Sequence, residues 1–447
     1  MTRGSAVAGG ANSRPDCSDR GRVCGVAGSG CGFMRQRLEK SKKHSTRPAA
    51  RGYNDSMNTT ATQLARRSIE EFPAFDLTRL LKTVFDPQPG QKVAILIDLA
   101  DTSTMKDYAF LNDPELAIQR KAYEVFFEGL KNGVAAELGL EGGEMYAYAL
   151  TGGSNLDLPD EAVDASGNTI SLEKDVYTNY DLILCVSTFS ATAPLTAFAK
   201  QYGFRGATLH GLNDVILASG LAVDYAEVSQ EAEKLRLAVT RADAFEIDFE
   251  MDGETYTLTL EIDGQEAQKS HGLCLGTKPD IANLPAGEVY FVPPGARGQF
   301  PFRFEHDGTI ALMDVTGGRI VKATLLSGDQ ELVDAYNERL KADPVTGEIG
   351  ELGFGTQDLP VSGRDIQDEK VLGTVHVATG RSDHLGGHLT PDLFASRLNA
   401  SHDDILFAPH KTPEITVTQV RMHRDGKVTP VIENYEPTSY LLSALEG

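Results

Sequence analysis

"KVAILIDLA", residues 92–100, decides the fold. A continuous apolar run of this length fits a strand buried on both faces, and such strands belong to parallel sheets covered by helices. Downstream, "PELAIQRKAYEVFFEGLKNG" (114–133) carries helical spacing and ends on a glycine stop signal. "MYAYAL" (145–150), "YDLILCVS" (180–187) and "ATAPLTAFAKQYG" (191–203) continue the alternation, and "AVDYAEVSQEAEKLRLAVTRAD" (222–243) reads as a long closing helix. Strands alternating with helices predict an α/β domain with a mostly parallel sheet.

After residue 243 the texture changes. "FEIDFEMDGETYTLTLEID" (245–263) alternates around Asp252-Gly253, a hairpin turn signal. Further strand-like runs follow, among them "GEVYFVP", "TIALMDV", "RIVKATLL", "GTVHVATG" and "EITVTQVRM". Only "DQELVDAYNERLKAD" (329–343) reads clearly as a helix. The expected architecture is two-domain: an N-terminal α/β domain over 57–243 and a C-terminal β-rich α+β domain over 244–447.

The first 56 residues differ from the rest. They hold eleven Lys or Arg against four Asp or Glu, and three of the five cysteines, without apolar periodicity. An organellar transit peptide and a start codon placed upstream of Met57 both account for this composition, and either leader should be disordered. The leader carries +7 of a formal net charge of −22, so the remainder carries −29. So acidic a chain disfavours a nucleic-acid partner, which needs a basic surface. No run is long and apolar enough to predict a membrane span. Past the leader only Cys185 and Cys274 remain, which excludes a dense disulfide framework or a CxxC metal knuckle and fits a reducing, cytoplasmic setting.

Candidate chemistry concentrates in the second half. His402 and Asp404 sit at i and i+2 in a strand-like run, so both point to one face and can converge on one ion. Imidazole with carboxylate suits zinc, iron, cobalt or manganese. His376 stands between Val375 and Val377 in what reads as a buried strand. Glu351 in "IGELGFGTQ" and Glu288 in "NLPAGEVYFVP" are carboxylates flanked by glycines, which permit close backbone approach. "QKSHGLCLGTKPD" (268–280) reads as a loop, although His271 and Cys274 also admit a nucleophile pair. "SATAPLT" and "RGATLHGLND" lie near strand ends, where they either approach a substrate or cap helices. "DIQDEK" (365–370) reads as a solvated turn, close enough to His376 for an outer role at the site. No GxGxxG or P-loop follows a strand, so no nucleotide is expected.

"NLPAGEVYFVP", "GELGFGTQ", "GTVHVATGRSDHLGG" and "ASHDDILF" occur in the order and approximate spacing of the aminopeptidase T/aminopeptidase S metallopeptidases, which this chain resembles. The resemblance implies that Glu288, Glu351, His376, His402 and Asp404 hold two divalent ions (zinc, cobalt or manganese), and that the chain forms homodimers. It covers most of residues 60–440, thinly in the first half. The peptidases carry a catalytic tyrosine shortly after the histidine matched by His376. This chain has "GRSDHLGG" there, with Arg381, Asp383 and His384 and no tyrosine. A second resemblance is to 2,5-dihydroxypyridine 5,6-dioxygenases, which also use a His-x-Asp pair with a further histidine upstream, where this chain has Glu351. That relation implies Fe(II) on His402, Asp404 and one more ligand.

The resulting expectation is a metal-dependent hydrolase acting on a small amide or peptide-like substrate through a metal-activated water. Glu288 or Glu351 serves as general base, Arg381 orients an anionic substrate group, and His384 donates a proton to the leaving group. A mononuclear Fe(II) ring-cleaving dioxygenase and a non-catalytic scaffold are the alternatives.

Overall fold

The strand at Lys92–Leu99 lies at the centre of a seven-stranded sheet in the computed structural model, which describes residues 67–305 and 307–446. The leader and Met57 therefore lie outside the described residues. Across this sheet the order is Ile281–Asn283, Arg205–Thr208, Leu182–Val186, Lys92–Leu99, Glu141–Ala149, Glu161–Asp164 and Thr169–Ser171. The first five run parallel and the last two are antiparallel additions at one edge. Val93 to Leu99 are buried without interruption, as the apolar run requires of a strand covered on both faces.

The helical stretch predicted to stop at Gly133 does not end there. Asn132 and Gly133 (φ +129°) make a kink, and helical turns resume to Leu138. Gly139, at φ +67°, supplies the left-handed residue that ends the run. The other two helices appear at Thr192–Tyr202 and Tyr225–Val239, the second capped by the Asp224 side chain.

Among the described residues the second half forms two antiparallel sheets. An eight-stranded sheet contains the predicted hairpin, Ala244–Met251 with Glu254–Glu261, turning on Asp252 and Gly253 at φ +53° and +82°. Both turn residues need positive φ to match the twist of the strands, and Asp-Gly tolerates it. The five-stranded sheet has the order His402–Phe407, Val375–Gly380, Ile349–Gly355, Glu288–Phe291 and Gln268–Ser270. A shared core joins the two sheets: Phe245, Phe249 and Phe300 of one meet Phe291, Phe354 and Phe407 of the other.

The parallel sheet takes its edge strand Ile281–Asn283 from beyond residue 243, so the chain crosses back between the halves, which belong to one compact unit. Five residues later Glu288 opens a strand of the five-stranded sheet. No helix among the described residues is long and apolar enough to cross a membrane.

Candidate metal centre

Strand alternation builds the site. In the five-stranded sheet Val289, Leu352, Val375, Val377, Ile405 and Phe407 enter the shared core. Their alternates Glu288, Glu351, His376, His402 and Asp404 therefore share the opposite face. Register brings them level: Ala378 pairs with Asp404, Gly353 with His376, and Gly355 with Glu288. The donor atoms of Glu288, Glu351 and His376, and those of Glu351, His402 and Asp404, each lie within 4.8 Å of one another.

Glu351 is the shared member, buried between two imidazoles. Its Oε2 lies 3.0 Å from His402 Nε2 and its Oε1 lies 3.5 Å from His376 Nε2. His402 Nε2 is also 3.3 Å from Asp404 Oδ1. On the far side of the His402 ring, Nδ1 donates to the Arg381 carbonyl oxygen at 2.6 Å. That bond fixes the ring and leaves Nε2 as the atom turned to the carboxylates, the usual way a metal-binding histidine is oriented.

The glycines have the role their spacing suggests. A Cβ on Gly353 would stand 2.1 Å from His376 Cε1, so only a bare backbone lets that ring lie against the neighbouring strand. Gly353→Ala is expected to push the His376 ring out of place and weaken metal binding by roughly 10–100-fold, as disturbed ligand orientation does elsewhere. Titration of a divalent ion into the variant checks this, and unchanged affinity contradicts it.

Two residues of the centre were not singled out by the sequence. Glu369 joins His376 and Asp404 in a third group of donors within 4.8 Å. Lys370, 1% exposed, donates to Glu288 at 2.7 Å and to Glu369 at 2.6 Å. The solvated turn expected at 365–370 is thus corrected: Ile366 to Lys370 are buried. They can be, because each polar side chain there has partners. Gln367 binds Ser219, Gly220 and the Pro360 carbonyl, while Asp368 accepts from Ser362, Gly363 and His410.

Electrostatics couple these groups. Burial alone would raise the Glu351 carboxyl, but hydrogen bonds from His376 and His402 hold it well below the usual range. Burial opposes charge on His376, yet Glu351 outweighs it and lifts the imidazole to about 9. His402 is also raised, by Asp404 and Glu351 against burial. The Glu369 carboxyl is pushed up to about 8 by burial, with Lys370 pulling the other way. In the metal-free protein both imidazoles are thus shifted toward their protonated forms, and an incoming ion must displace those protons. Metal affinity is expected to rise with pH between 6 and 9, with protons released on binding. Calorimetric titration in buffers of different ionisation enthalpy measures that release; a pH-independent affinity contradicts it.

The remaining predicted residues fall in different places. His384 lies beside the cluster, its ring perpendicular to that of His402 at 4.9 Å, and burial lowers its pKa. Arg381 lines neither cavity at the cluster. Its guanidinium donates to Asp383, Asp157 and the Asn155 carbonyl, so the group expected to orient substrate instead ties the Ser382 turn to the α/β half. Cys274 and His271 do not pair: the thiol donates to the Asp280 carbonyl and is pushed up to about 11 by burial, while His271 Nδ1 accepts from Leu273 N–H.

Two cavities meet at the cluster, of about 330 Å³ and 840 Å³, and His210, Glu369, His402 and Asp404 line both. Asp404, 30% exposed, is open to them. His210 comes from "RGATLHGLND" at the end of a parallel strand; burial lowers its imidazole to about 4, and its Nδ1 has no hydrogen-bond partner among the described residues. Ser190 and Thr192 of "SATAPLT" reach the smaller cavity from the same half. The donor set of imidazole Nε2 atoms and carboxylates fits a divalent transition-metal ion.

No family model and no curated protein matches the chain. Among solved structures it superposes on 2,5-dihydroxypyridine dioxygenase from Pseudomonas putida KT2440, with a TM-score of 0.51 and 13% identity, over 81% of this chain and 97% of that one. At that identity the likeness shows a shared fold.

Proposed function

We propose that the protein is a metal-dependent hydrolase acting on a small amide-like substrate. The observation that carries this reading is Glu351, a buried carboxylate with one oxygen toward each of two histidines and two further carboxylates, Glu288 and Asp404, grouped with it. Glu351, His376, His402 and Asp404 would hold the metal, which when bound lowers the pKa of a water and polarises a carbonyl.

The chain's own groups supply the rest. Glu288 has one oxygen held by Lys370 and no hydrogen bond on the other among the described residues, which suits a general base. Glu351 has both oxygens turned to histidines and acts as a ligand. Lys370 spends two of its three donors on Glu288 and Glu369, and the third is available for the oxyanion that forms during hydrolysis. Lysine thereby takes the place of the tyrosine absent from "GRSDHLGG". His384 lines the smaller cavity, and its imidazole, with a pKa lowered by burial, is placed to hydrogen-bond a leaving group.

A second reading is ring cleavage by Fe(II) and oxygen. The fold shared with 2,5-dihydroxypyridine dioxygenase favours it, whereas the grouping of Glu351, His402 and Asp404, with one histidine and two carboxylates where the iron triad has two histidines and one carboxylate, weakens it.

Metal-loaded protein assayed on aminoacyl amides, cyclic amides, small carboxylated amides and dihydroxypyridines, with and without oxygen, separates the two. Amide turnover without oxygen is expected. Product that forms only with iron and oxygen replaces hydrolysis by the second reading, and a chain that binds no metal is a scaffold.

A further inference from the structure

The smaller cavity has a polarity of its own. Its floor is the buried cluster of Glu288, Glu351 and His376. Its mouth is marked by exposure: Lys200 and Lys278 are exposed, and Lys269 is partly so. The three come from separate segments: the helix Thr192–Tyr202, the loop before Ile281, and the strand Gln268–Ser270. Sequence distance between them makes their convergence a property of the fold.

Their commitments differ. Lys269 is held by Glu233 at 3.0 Å and by the Ser229 carbonyl. Neither Lys200 nor Lys278 has a hydrogen bond or ion pair among the described residues. Asp280, exposed beside them, has its Oδ1 accepting from Ile281 N–H, while the other exposed carboxylate of the lining, Asp404, belongs to the cluster. Burial, with Lys269 nearby, lowers the pKa of His271, which also lines the cavity. The mouth thus carries a net positive charge, in a chain whose acids outnumber its bases by 64 to 42.

Resting on the metal-centred reading above, we infer that the substrate is a small molecule carrying an anionic group, held by Lys200 and Lys278 at the cavity mouth while its reacting end meets the metal. A cavity of about 330 Å³ suits a compact metabolite better than an extended peptide. The lysines steer a negatively charged ligand through an acidic surface that would otherwise repel it. A carboxylate and a phosphate share this chemistry.

The test uses three hydroxamates of equal length, because a hydroxamate chelates the metal whether the centre performs hydrolysis or oxygen chemistry. Their far ends are a carboxylate, a phosphonate and a methyl group. Calorimetry on the full, metal-loaded chain is expected to show an anionic probe binding about tenfold tighter than the methyl one, the scale of one charge-assisted hydrogen bond. Which anion binds better names the group. The Lys200→Gln/Lys278→Gln variant, altered at two exposed positions away from the cluster, is expected to lose that preference and still bind the methyl probe normally. Equal binding of all three probes overturns this inference alone, as does a preference that survives in the double variant. Failure of every probe to bind protein shown to contain metal overturns it together with the metal-centred reading.

Discussion

Glu351→Gln is expected to cost more than 100-fold in affinity for a divalent ion while leaving the chain folded. Loss of an outer partner of a metal ligand costs roughly 10–100-fold, and Glu351 is a shared donor in two of the three donor groups. The glutamine fills the same space between His376 and His402 but removes the charge that both rings face. His402→Ala and Asp404→Ala should act in the same direction. His271→Ala should not, because that ring only accepts from Leu273 N–H at the cavity mouth. Elemental analysis after dialysis, beside circular dichroism, reads both parts. Equal metal content in the Glu351, His402 and His271 variants would contradict the ligand set.

Lys370→Met is expected to have the largest effect on stability. Its ammonium group is the cation between Glu288 and Glu369, with Glu351 and Asp404 close by. Removing one partner of a buried ion pair costs about 3–5 kcal/mol, because the other is left uncompensated. In the variant the stranded carboxylates escape repulsion by taking up protons, so their folded pKa values rise above the unfolded ones. A group shifted upward contributes its stability at low pH and loses it as pH climbs through the folded value. The variant should therefore lose more stability relative to the parent at pH 8 than at pH 5, and an added divalent ion should restore part of it. Denaturant unfolding at the two pH values measures this. A variant as stable as the parent at pH 8 would show that Lys370 is not the counter-charge of the cluster. Turnover should fall separately by about 10²–10³, the effect of losing one oxyanion donor.

The sequence was legible where local pattern and tertiary environment agree. The apolar run at 93–97 reads as a covered strand, with Asp98 buried after it because Thr188 and Gln119 bind its carboxylate, and Asp252-Gly253 between alternating segments reads as a tight turn. That His402 and Asp404 share a face was readable from strand alternation, while Glu288, Glu351 and His376 joined them only through the resemblance; the structure brings the five side chains to one face of the sheet. Lys370 and Glu369 were legible only as members of a turn near His376, not as buried partners in the cluster. A Gln-Asp-Glu-Lys run looks solvated unless its partners are known, and those partners (Ser219, Gly220, Pro360 and Glu288) come from other segments. His210 was legible only as part of "RGATLHGLND", a strand-end segment that could approach a substrate, because it reaches the cluster from the opposite half of the chain. Arg381 misled in the other direction. A guanidinium beside a histidine suggested substrate binding, but Asp157, more than 200 residues upstream, claims it. Gly133 looked like a helix stop because glycine commonly ends helices; the chain absorbs it as a kink and stops one turn and a half later, at Gly139.

The central claim is that the buried face of the five-stranded sheet holds a divalent ion. Anomalous diffraction at the metal absorption edge, from crystals of metal-loaded protein, tests it most directly. The account predicts a peak within about 2.0–2.2 Å of Glu351, His402 and Asp404 donor atoms, with Lys370 still bridging Glu288 and Glu369. A cluster without an anomalous peak, in protein saturated with zinc, manganese or iron, would contradict it.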